Sequence, residues 1–137
     1  MPTHFLPRRL TFWQTMCRHL FGIPMTRDGR GHALAISSIV LFELRYGAAK
    51  SARPQRNTQR IADFLSGPIE VLPFEPADAD EAGDIRAALE RAGTPIGPYD
   101  VLVAAQARQR DALLVTANTS EFARVPRLKL EDWGMPE

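Results

Sequence analysis

Short apolar runs that alternate with helical segments are the feature that most constrains this fold. The runs at 33–36, 69–74 and 112–116 are each rich in aliphatic residues and each has a helical pattern before or after it. Short strands of this kind, separated by helices, are typical of a parallel sheet that helices cover on both faces. The sequence therefore predicts a three-layer α/β/α domain with a mostly parallel central sheet.

The helical segments have recognisable starts and stops. Ser37 and Ser38 can cap a helix that runs to about residue 49, and its nearly all-round apolar character predicts that it is well buried. Further helices are predicted over 55–65, from about 78 to the stop at Gly93, and after Pro98. The inner face of the helix that stops at Gly93 is expected to consist of Ala82, Ile85, Leu89 and Ala92. Residues 117–122 are predicted to form a loop, and a last strand is expected at 128–130.

Composition limits the class of protein. The 137 residues suit one domain, and 45% hydrophobic residues with a net charge of +1 exclude a disordered chain and a global polycation. The lone Cys17 cannot form an internal disulfide, and the histidines and this thiol show no zinc-ligand spacing. No apolar run approaches a membrane span, so a cytoplasmic protein without membrane contact is expected.

The first 30 residues differ from the rest. They hold five arginines against one acid, Asp28, and they are broken by proline and glycine. One apolar stripe in them predicts a short docked helix, with a targeting or membrane-surface helix as the alternative. That stripe consists of Leu10, Trp13, Cys17, Leu20 and Phe21. We therefore divide the chain into an atypical basic segment, 1–30, and a domain, 31–137.

Two carboxylates lie in otherwise apolar helical segments. Glu43 interrupts an aliphatic run, and Asp100 opens the helix after Pro98. Asp100 can simply complement the helix dipole, and Glu43 can pair with a base or face water. Two acids that enter a buried neighbourhood would repel each other unless a cation lay between them, and Mg²⁺ suits one or two carboxylates. The sequence thus leaves a structural and a metal-binding role open for both.

Polar residues follow the strand at 112–116. Thr116, Asn118 and Glu121 are expected to share one pocket with the start of the Asp100 helix, because functional groups gather at the carboxyl ends of parallel strands. Turn chemistry is the favoured explanation of Thr116 and Asn118 from the local sequence alone, and Glu121 can be a solvated loop acid. Arg86 and Arg108 are weak candidates for contact with a phosphate backbone, against surface or helix-pairing roles.

The order of these blocks resembles a known family. The segment 36–47, ISSIVLFELRYG, looks like the corresponding helix of PIN-domain ribonuclease toxins of the VapC type. Three later blocks are similar to the same family, and the resemblance runs from about residue 31 to 133. Those blocks are IRAAL with GTPIGPYD, then LVTANTSEF, then LEDW.

The resemblance implies cleavage of RNA by acidic residues around Mg²⁺ or Mn²⁺. Glu43 matches the helix glutamate and Asp100 the aspartate that opens the later helix. Asn118 and Thr116 match supporting positions, with Glu121 as a further candidate. The implied partners are an RNA substrate, a small cognate antitoxin and, as often in the family, a second copy of the chain. The metal would lower the pKa of a bound water and stabilise charge on the phosphate.

The N-terminal segment departs from the family pattern. Members open with a strand that ends in a principal metal-binding aspartate, and residues 1–30 carry no such segment, so the first strand is missing or replaced. A different reading frame joined to an intact body would explain this loss. The sequence therefore leaves two functions open: a VapC-like endoribonuclease toxin, or a catalytically degenerate PIN scaffold that only binds an antitoxin or another partner. A receiver-type phosphotransfer domain explains none of the four blocks.

Overall fold

A computed structural model describes residues 19–24 and 32–132. It contains five strands and five helices in these ranges. The strands are β1 (His19–Pro24), β2 (His32–Ser37), β3 (Ile69–Leu72), β4 (Leu113–Thr116) and β5 (Lys129–Glu131). The helices are α1 (Ser38–Lys50), α2 (Pro54–Leu65), α3 (Pro76–Arg91), α4 (Pro98–Gln109) and α5 (Thr119–Phe122).

The described strands form one sheet in the order β3-β2-β1-β4-β5. The strands β2 and β3 are parallel, as are β4 and β5, whereas β1 is antiparallel to both of its neighbours. Four of the five strands therefore point the same way, which agrees with the predicted mostly parallel sheet. The central position is taken by a strand from the atypical N-terminal segment.

The predicted N-terminal helix is wrong at its C-terminal end. Leu20 and Phe21 lie in β1, where they pair with Val115 and with Leu114 and Ala35. A short helix would satisfy only its own backbone, whereas a strand at the centre of a sheet satisfies the open edges of two neighbours as well. The other stripe residues, Leu10, Trp13 and Cys17, and also Asp28, lie outside the described residues. The domain boundary at 30/31 stays a prediction.

The core confirms the layered arrangement. In β4, Leu114, Val115 and Thr116 are all buried although successive side chains point to opposite faces, so both faces of the sheet are covered. On the helices, α3 packs against α4 and α1 against α2. No helix in the described ranges is long and apolar enough to cross a membrane.

Three local expectations need correction. The helix α1 is not buried all round, because only one side packs on the body and Phe42 and Tyr46 remain 51% and 58% exposed. Residues 119–122 form the one-turn helix α5 rather than an irregular loop. Ala92, expected on the inner face of α3, follows the helix as its C-cap and is exposed.

The helix signals in the sequence are otherwise confirmed. Ser37 caps α1, with its hydroxyl oxygen accepting a hydrogen bond from the Ile39 N–H. Gly93 follows the C-cap of α3 with a φ of +72°, a conformation that glycine adopts without strain. The Gly93 N–H donates to the Glu90 carbonyl there, which closes the helix.

Candidate active site

The candidate site lies at the edge of the sheet where β2 and β4 end. Their last residues are Ser37 and Thr116, and both are buried. Because β1 runs antiparallel, its first residue, His19, is the one paired with Thr116 at this edge. The sequence of β1, HLFGIP, contains no acid. Within the described residues, the candidate acids Glu43, Asp100 and Glu121 all lie on helices.

Asp100 is placed by the first turn of α4. Gly97 is the N-cap and Pro98 begins the helix, whose fixed φ suits that position. A Cβ on Gly97 would lie 3.4 Å from Asp100 Oδ2 and 3.9 Å from Glu121 Oε1. The two carboxylates thus approach the same point beside the glycine. The missing side chain leaves space next to the Asp100 oxygen.

Glu121 is held by two hydrogen bonds. Its Oε1 accepts the Gly97 N–H at 2.9 Å, and its Oε2 accepts from the Asn118 side-chain amide. These contacts connect α5 to the N-terminus of α4 across 24 residues of chain. Glu121 thereby satisfies a backbone donor at the start of the Asp100 helix, where negative charge is also favoured. Hydrogen bonds thus connect Thr116, Asn118, Glu121 and the start of α4, while a shared pocket of these residues stays a prediction.

Thr116 and Asn118 build the turn after β4. The Thr116 hydroxyl oxygen accepts the Asn118 N–H at 3.0 Å, and Thr116 is 3% exposed. Asn118 in turn directs its side-chain amide to Glu121. Turn chemistry is therefore the observed role of both residues. They support Glu121 and, through it, the start of α4.

Glu43 lies on α1, which packs against α4. It is partly buried, as is Asp100. The neighbouring residues Phe42 and Tyr99 meet edge to face, with their ring centroids 5.8 Å apart. This contact places the chain segment of Glu43 beside that of Asp100. Two helices from distant parts of the sequence thus bring together the segments that carry these acids.

Gln106 is a functional neighbour that the sequence did not reveal. It is fully buried on α4, and its Oε1 accepts a hydrogen bond from the Ser37 hydroxyl. Its Nε2 donates to the carbonyls of Leu72 and Pro73, each at 3.2 Å. Gln106 therefore connects the Asp100 helix to the cap of the Glu43 helix. A glutamine in an apolar helical segment was the available signal, because a buried amide needs partners.

Arg86 and Arg108, the weak candidates for RNA contact, both form ion pairs with acids of α3. Arg108 Nε donates to Glu81 Oε2 at 2.7 Å, and the Arg108 side chain is only 10% exposed. Arg86 is exposed but forms a pair with Glu90, one turn further along α3. Both contacts match the helix-pairing and surface roles that the sequence left open.

The donor set fits a hard divalent cation in part. Glu43 and Asp100 offer carboxylate oxygens, the ligands that Mg²⁺ and Mn²⁺ prefer, and Gly97 leaves room beside Asp100. No group of three or more acidic, histidine or cysteine residues able to hold a metal is found within 19–24 and 32–132. The arrangement suits an ion bound by one or two carboxylates that keeps several waters.

A comparison with protein families identifies the fold. The PIN domain model matches residues 26–128. The chain belongs to the PIN-domain family. Among curated PIN relatives, the tRNA(fMet)-specific endonuclease VapC of Shigella flexneri is 49% identical over 101 residues, which are 74% of this chain and 76% of that protein. Ribonuclease VapC2 of Rickettsia felis is 41% identical over 76% of this chain and 77% of its own length.

Solved structures of PIN proteins are similar to the structure of this chain. VapBC from Salmonella typhimurium, bound to DNA, matches with a TM-score of 0.70 and 47% identity over 72% of this chain and 74% of that one. VapBC2 from Rickettsia felis, bound to a promoter DNA fragment, has the same TM-score and coverage at 43% identity. The predicted PIN fold and VapC-type resemblance are confirmed. Within the PIN family the chain belongs with the endoribonuclease toxins of the VapC type, and the degenerate-scaffold alternative is not favoured.

Proposed function

We propose that this chain cleaves RNA in a reaction that depends on Mg²⁺ or Mn²⁺, with Glu43 and Asp100 as the metal-binding acids. The observation that carries the proposal is the convergence of α1 and α4. Phe42 and Tyr99, the residues next to these two acids, touch, and Gly97 leaves space at the Asp100 carboxylate. Both acids are partly buried, which strengthens their attraction for a cation.

The side chains of the candidate site have different roles in phosphodiester hydrolysis. Glu43 and Asp100 would hold the ion, and a bound ion would make an attacking water more acidic and offset negative charge on the phosphate. Water attacks phosphorus, one bond from phosphorus to a ribose oxygen breaks, and that oxygen leaves with a proton. Glu121 keeps the first turn of α4 in place through the Gly97 N–H, and Asn118 orients Glu121. Neither Thr116 nor Asn118 is assigned a direct contact with the ion.

The relatives suggest a substrate and a partner. Shigella flexneri VapC is named for its specificity for tRNA(fMet), and it is 49% identical to this chain. We therefore take tRNA(fMet) as the first substrate to test. The VapBC structures contain an antitoxin beside the toxin, so a small cognate antitoxin is the proposed partner. Action in the cytoplasm, on RNA that is present there, and assembly as a homodimer remain predictions.

The direct test is cleavage of tRNA(fMet) by the purified chain in Mg²⁺. Asp100→Asn and Glu43→Gln keep the size of each side chain but remove the charge that binds the ion. We expect each to reduce the cleavage rate by about 100-fold or more, as loss of about 3 kcal/mol of transition-state stabilisation requires.

Asp84→Asn provides the matched control, because Asp84 is an exposed acid on α3. It should retain the wild-type rate. Cleavage that neither Asp100→Asn nor Glu43→Gln slows would contradict the assigned site. A folded wild-type protein that cleaves no RNA in Mg²⁺ or Mn²⁺ would contradict the enzymatic proposal itself.

A further inference from the structure

The outer face of α1 carries exposed aromatic side chains beside the candidate site. Phe42 and Tyr46 on α1 are 51% and 58% exposed, and the adjoining Tyr99 on α4 is 48% exposed, whereas Ile36 and Leu114 in the sheet are fully buried. Phe42 and Tyr46 are one helical turn apart, and Lys50 continues the same row with its Nζ 5.5 Å from the Tyr46 ring centroid. The row begins next to Glu43 and extends ~12 Å along the helix.

The same helical hairpin is basic. Between Leu44 and Ala62 the chain has five cations and no acid, namely Arg45, Lys50, Arg53, Arg56 and Arg60. Within the described part of the chain, no ion pair involves any of these five, whereas Arg86, Arg108, Arg110 and Lys129 each contact a carboxylate. The net charge of +1 therefore hides a local concentration of positive charge.

The turn between the two helices is well ordered by its own bonds. Ser51 donates from both its N–H and its hydroxyl to the Ala48 carbonyl, and Asn57 donates to the Ser51 hydroxyl oxygen at 2.9 Å. Lys50, Arg53 and Arg56 surround this turn and are all exposed. Their backbone positions are thus fixed while their side chains stay available.

We propose that the basic aromatic surface, defined as Phe42, Tyr46, Tyr99, Lys50, Arg53 and Arg56, binds the single-stranded segment of RNA that leads away from the Glu43 and Asp100 site. The inference rests on the proposed ribonuclease function and adds the path of the substrate. Aromatic rings accept stacked bases, and unpaired cations attract the phosphates between them. Charge complementarity favours RNA over an apolar protein partner, which would leave three cations without compensation.

The first part of the test measures how much the basic residues of the surface contribute to RNA affinity, without cleavage of the RNA. In an Asp100→Asn background, the triple variant Lys50→Gln/Arg53→Gln/Arg56→Gln is compared with Arg86→Gln/Arg91→Gln/Lys129→Gln, which removes three cations elsewhere. The probe is fluorescein-labelled single-stranded RNA of mixed sequence, followed by anisotropy over a range of salt concentrations. We expect the first triple to bind at least about 10-fold more weakly and to flatten the slope of log K against log salt by about 2, from ~0.7 per lost phosphate contact. The control triple should keep most of the affinity and slope.

The second part of the test uses substitutions of Tyr46 to distinguish stacking on RNA bases from packing against another apolar partner. Tyr46→Ala should weaken binding by roughly 5- to 100-fold, the range for loss of one stacked base, while Tyr46→Phe should bind like the parent. Tyr46→Leu keeps apolar area without an aromatic face and should resemble Tyr46→Ala. Because Tyr46 is exposed, all three should unfold at the parental urea concentration.

Several results would overturn the proposal. These are equal losses in both triples, binding that does not respond to Tyr46→Ala, or no RNA binding by any form. A change of mass in light scattering without a change in RNA affinity would assign the surface to self-association instead. If the surface variants bind RNA poorly but wild type cleaves no RNA, this inference stands and the ribonuclease proposal fails. If wild type cleaves RNA and the Lys50→Gln/Arg53→Gln/Arg56→Gln variant of the active protein cleaves it with an unchanged KM, the ribonuclease proposal stands and this inference fails.

Discussion

At the scale of single residues, the candidate site depends on which groups the Glu121 and Asp100 carboxylates face. Both oxygens of Glu121 accept hydrogen bonds, from the Gly97 N–H and from Asn118. Asp100, three residues after Gly97, has one oxygen facing the space left by the glycine. We therefore propose that Glu121 is a positioning residue that acts through the start of α4. Sequence spacing alone could not distinguish these two acids.

Glu121→Gln tests this division. The new side chain can still accept the Gly97 N–H, but its amide cannot accept from Asn118, so a charge-assisted bond is lost. We expect the free energy of unfolding to fall by about 1–2 kcal/mol in urea titrations. Mn²⁺ affinity should fall by about 10-fold or more, as for other groups that orient a metal ligand.

Glu131→Gln is the control, since Glu131 is an exposed acid on β5. It should change neither quantity measurably. A Glu121→Gln protein with reduced stability but unaltered Mn²⁺ affinity would leave Glu121 with a purely structural role.

At the scale of secondary-structure elements, a buried polar network fixes α4 against the ends of two strands. Gln106 contacts Ser37 at the end of β2 and the carbonyls of Leu72 and Pro73 at the end of β3. Arg110, the C-cap of α4, donates to the same Pro73 carbonyl and to Asp78. The helix that carries Asp100 is thus held at specific points as well as by apolar packing.

Gln106→Leu should be strongly destabilising. Leucine fills a similar volume but leaves the Ser37 hydroxyl without its acceptor. It also removes the amide that donates to the Leu72 and Pro73 carbonyls, of which Pro73 keeps its bond from Arg110. We expect a loss of about 2–4 kcal/mol in the free energy of unfolding, measured in urea. Gln109→Leu makes the same substitution at an exposed position of the same helix and should cost less than about 0.5 kcal/mol. Equal effects of the two substitutions would refute the role of the network.

The buried pair of Asp78 and Arg110 makes a second element-scale prediction. Asp78 is 1% exposed, contacts Arg110 at 2.6 Å and accepts the Glu75 N–H at the start of α3. Asp78→Ala should cost about 3–5 kcal/mol, because it removes a buried partner of a charge and part of a helix cap. Asp80→Ala, at an exposed position of the same helix, should change the urea midpoint little. Comparable midpoints for both variants would contradict this account.

At the scale of the whole molecule, local patterns predicted most elements but not their exposure. The strands β2 and β4, the cap at Ser37 and the stop at Gly93 follow from runs and residue types that act within a few positions. Phe42 and Tyr46 belong to an apolar helix, yet no described element covers them, and periodicity cannot tell an uncovered face from a buried one. Contacts such as Gln106 to Ser37 join positions 69 residues apart, which no local pattern encodes.

The central strand, β1, is a second feature that local sequence patterns did not predict. Residues 19–24 show no alternation of apolar and polar residues that would predict a strand, and Gly22 and Pro24 were the available signals against a helix. The strand conformation places the segment between β2 and β4. Because β1 enters that gap antiparallel, its N-terminal end meets the candidate site. The helix acids Glu43 and Asp100 then carry the metal-binding role in this account.

The dependence of cleavage on metal concentration shows whether Glu43 and Asp100 form a metal-binding site. Initial rates of tRNA(fMet) cleavage are measured while Mg²⁺ is titrated into metal-free wild type, Asp100→Asn and Asp84→Asn. We predict no cleavage by any form before Mg²⁺ is added, saturation for wild type and Asp84→Asn at the same Mg²⁺ concentration, and at least about a 10-fold higher requirement or no activity for Asp100→Asn. Full-rate cleavage by wild type in excess EDTA, or identical Mg²⁺ curves for all three proteins, would contradict the claim that Glu43 and Asp100 form a metal-dependent ribonuclease site.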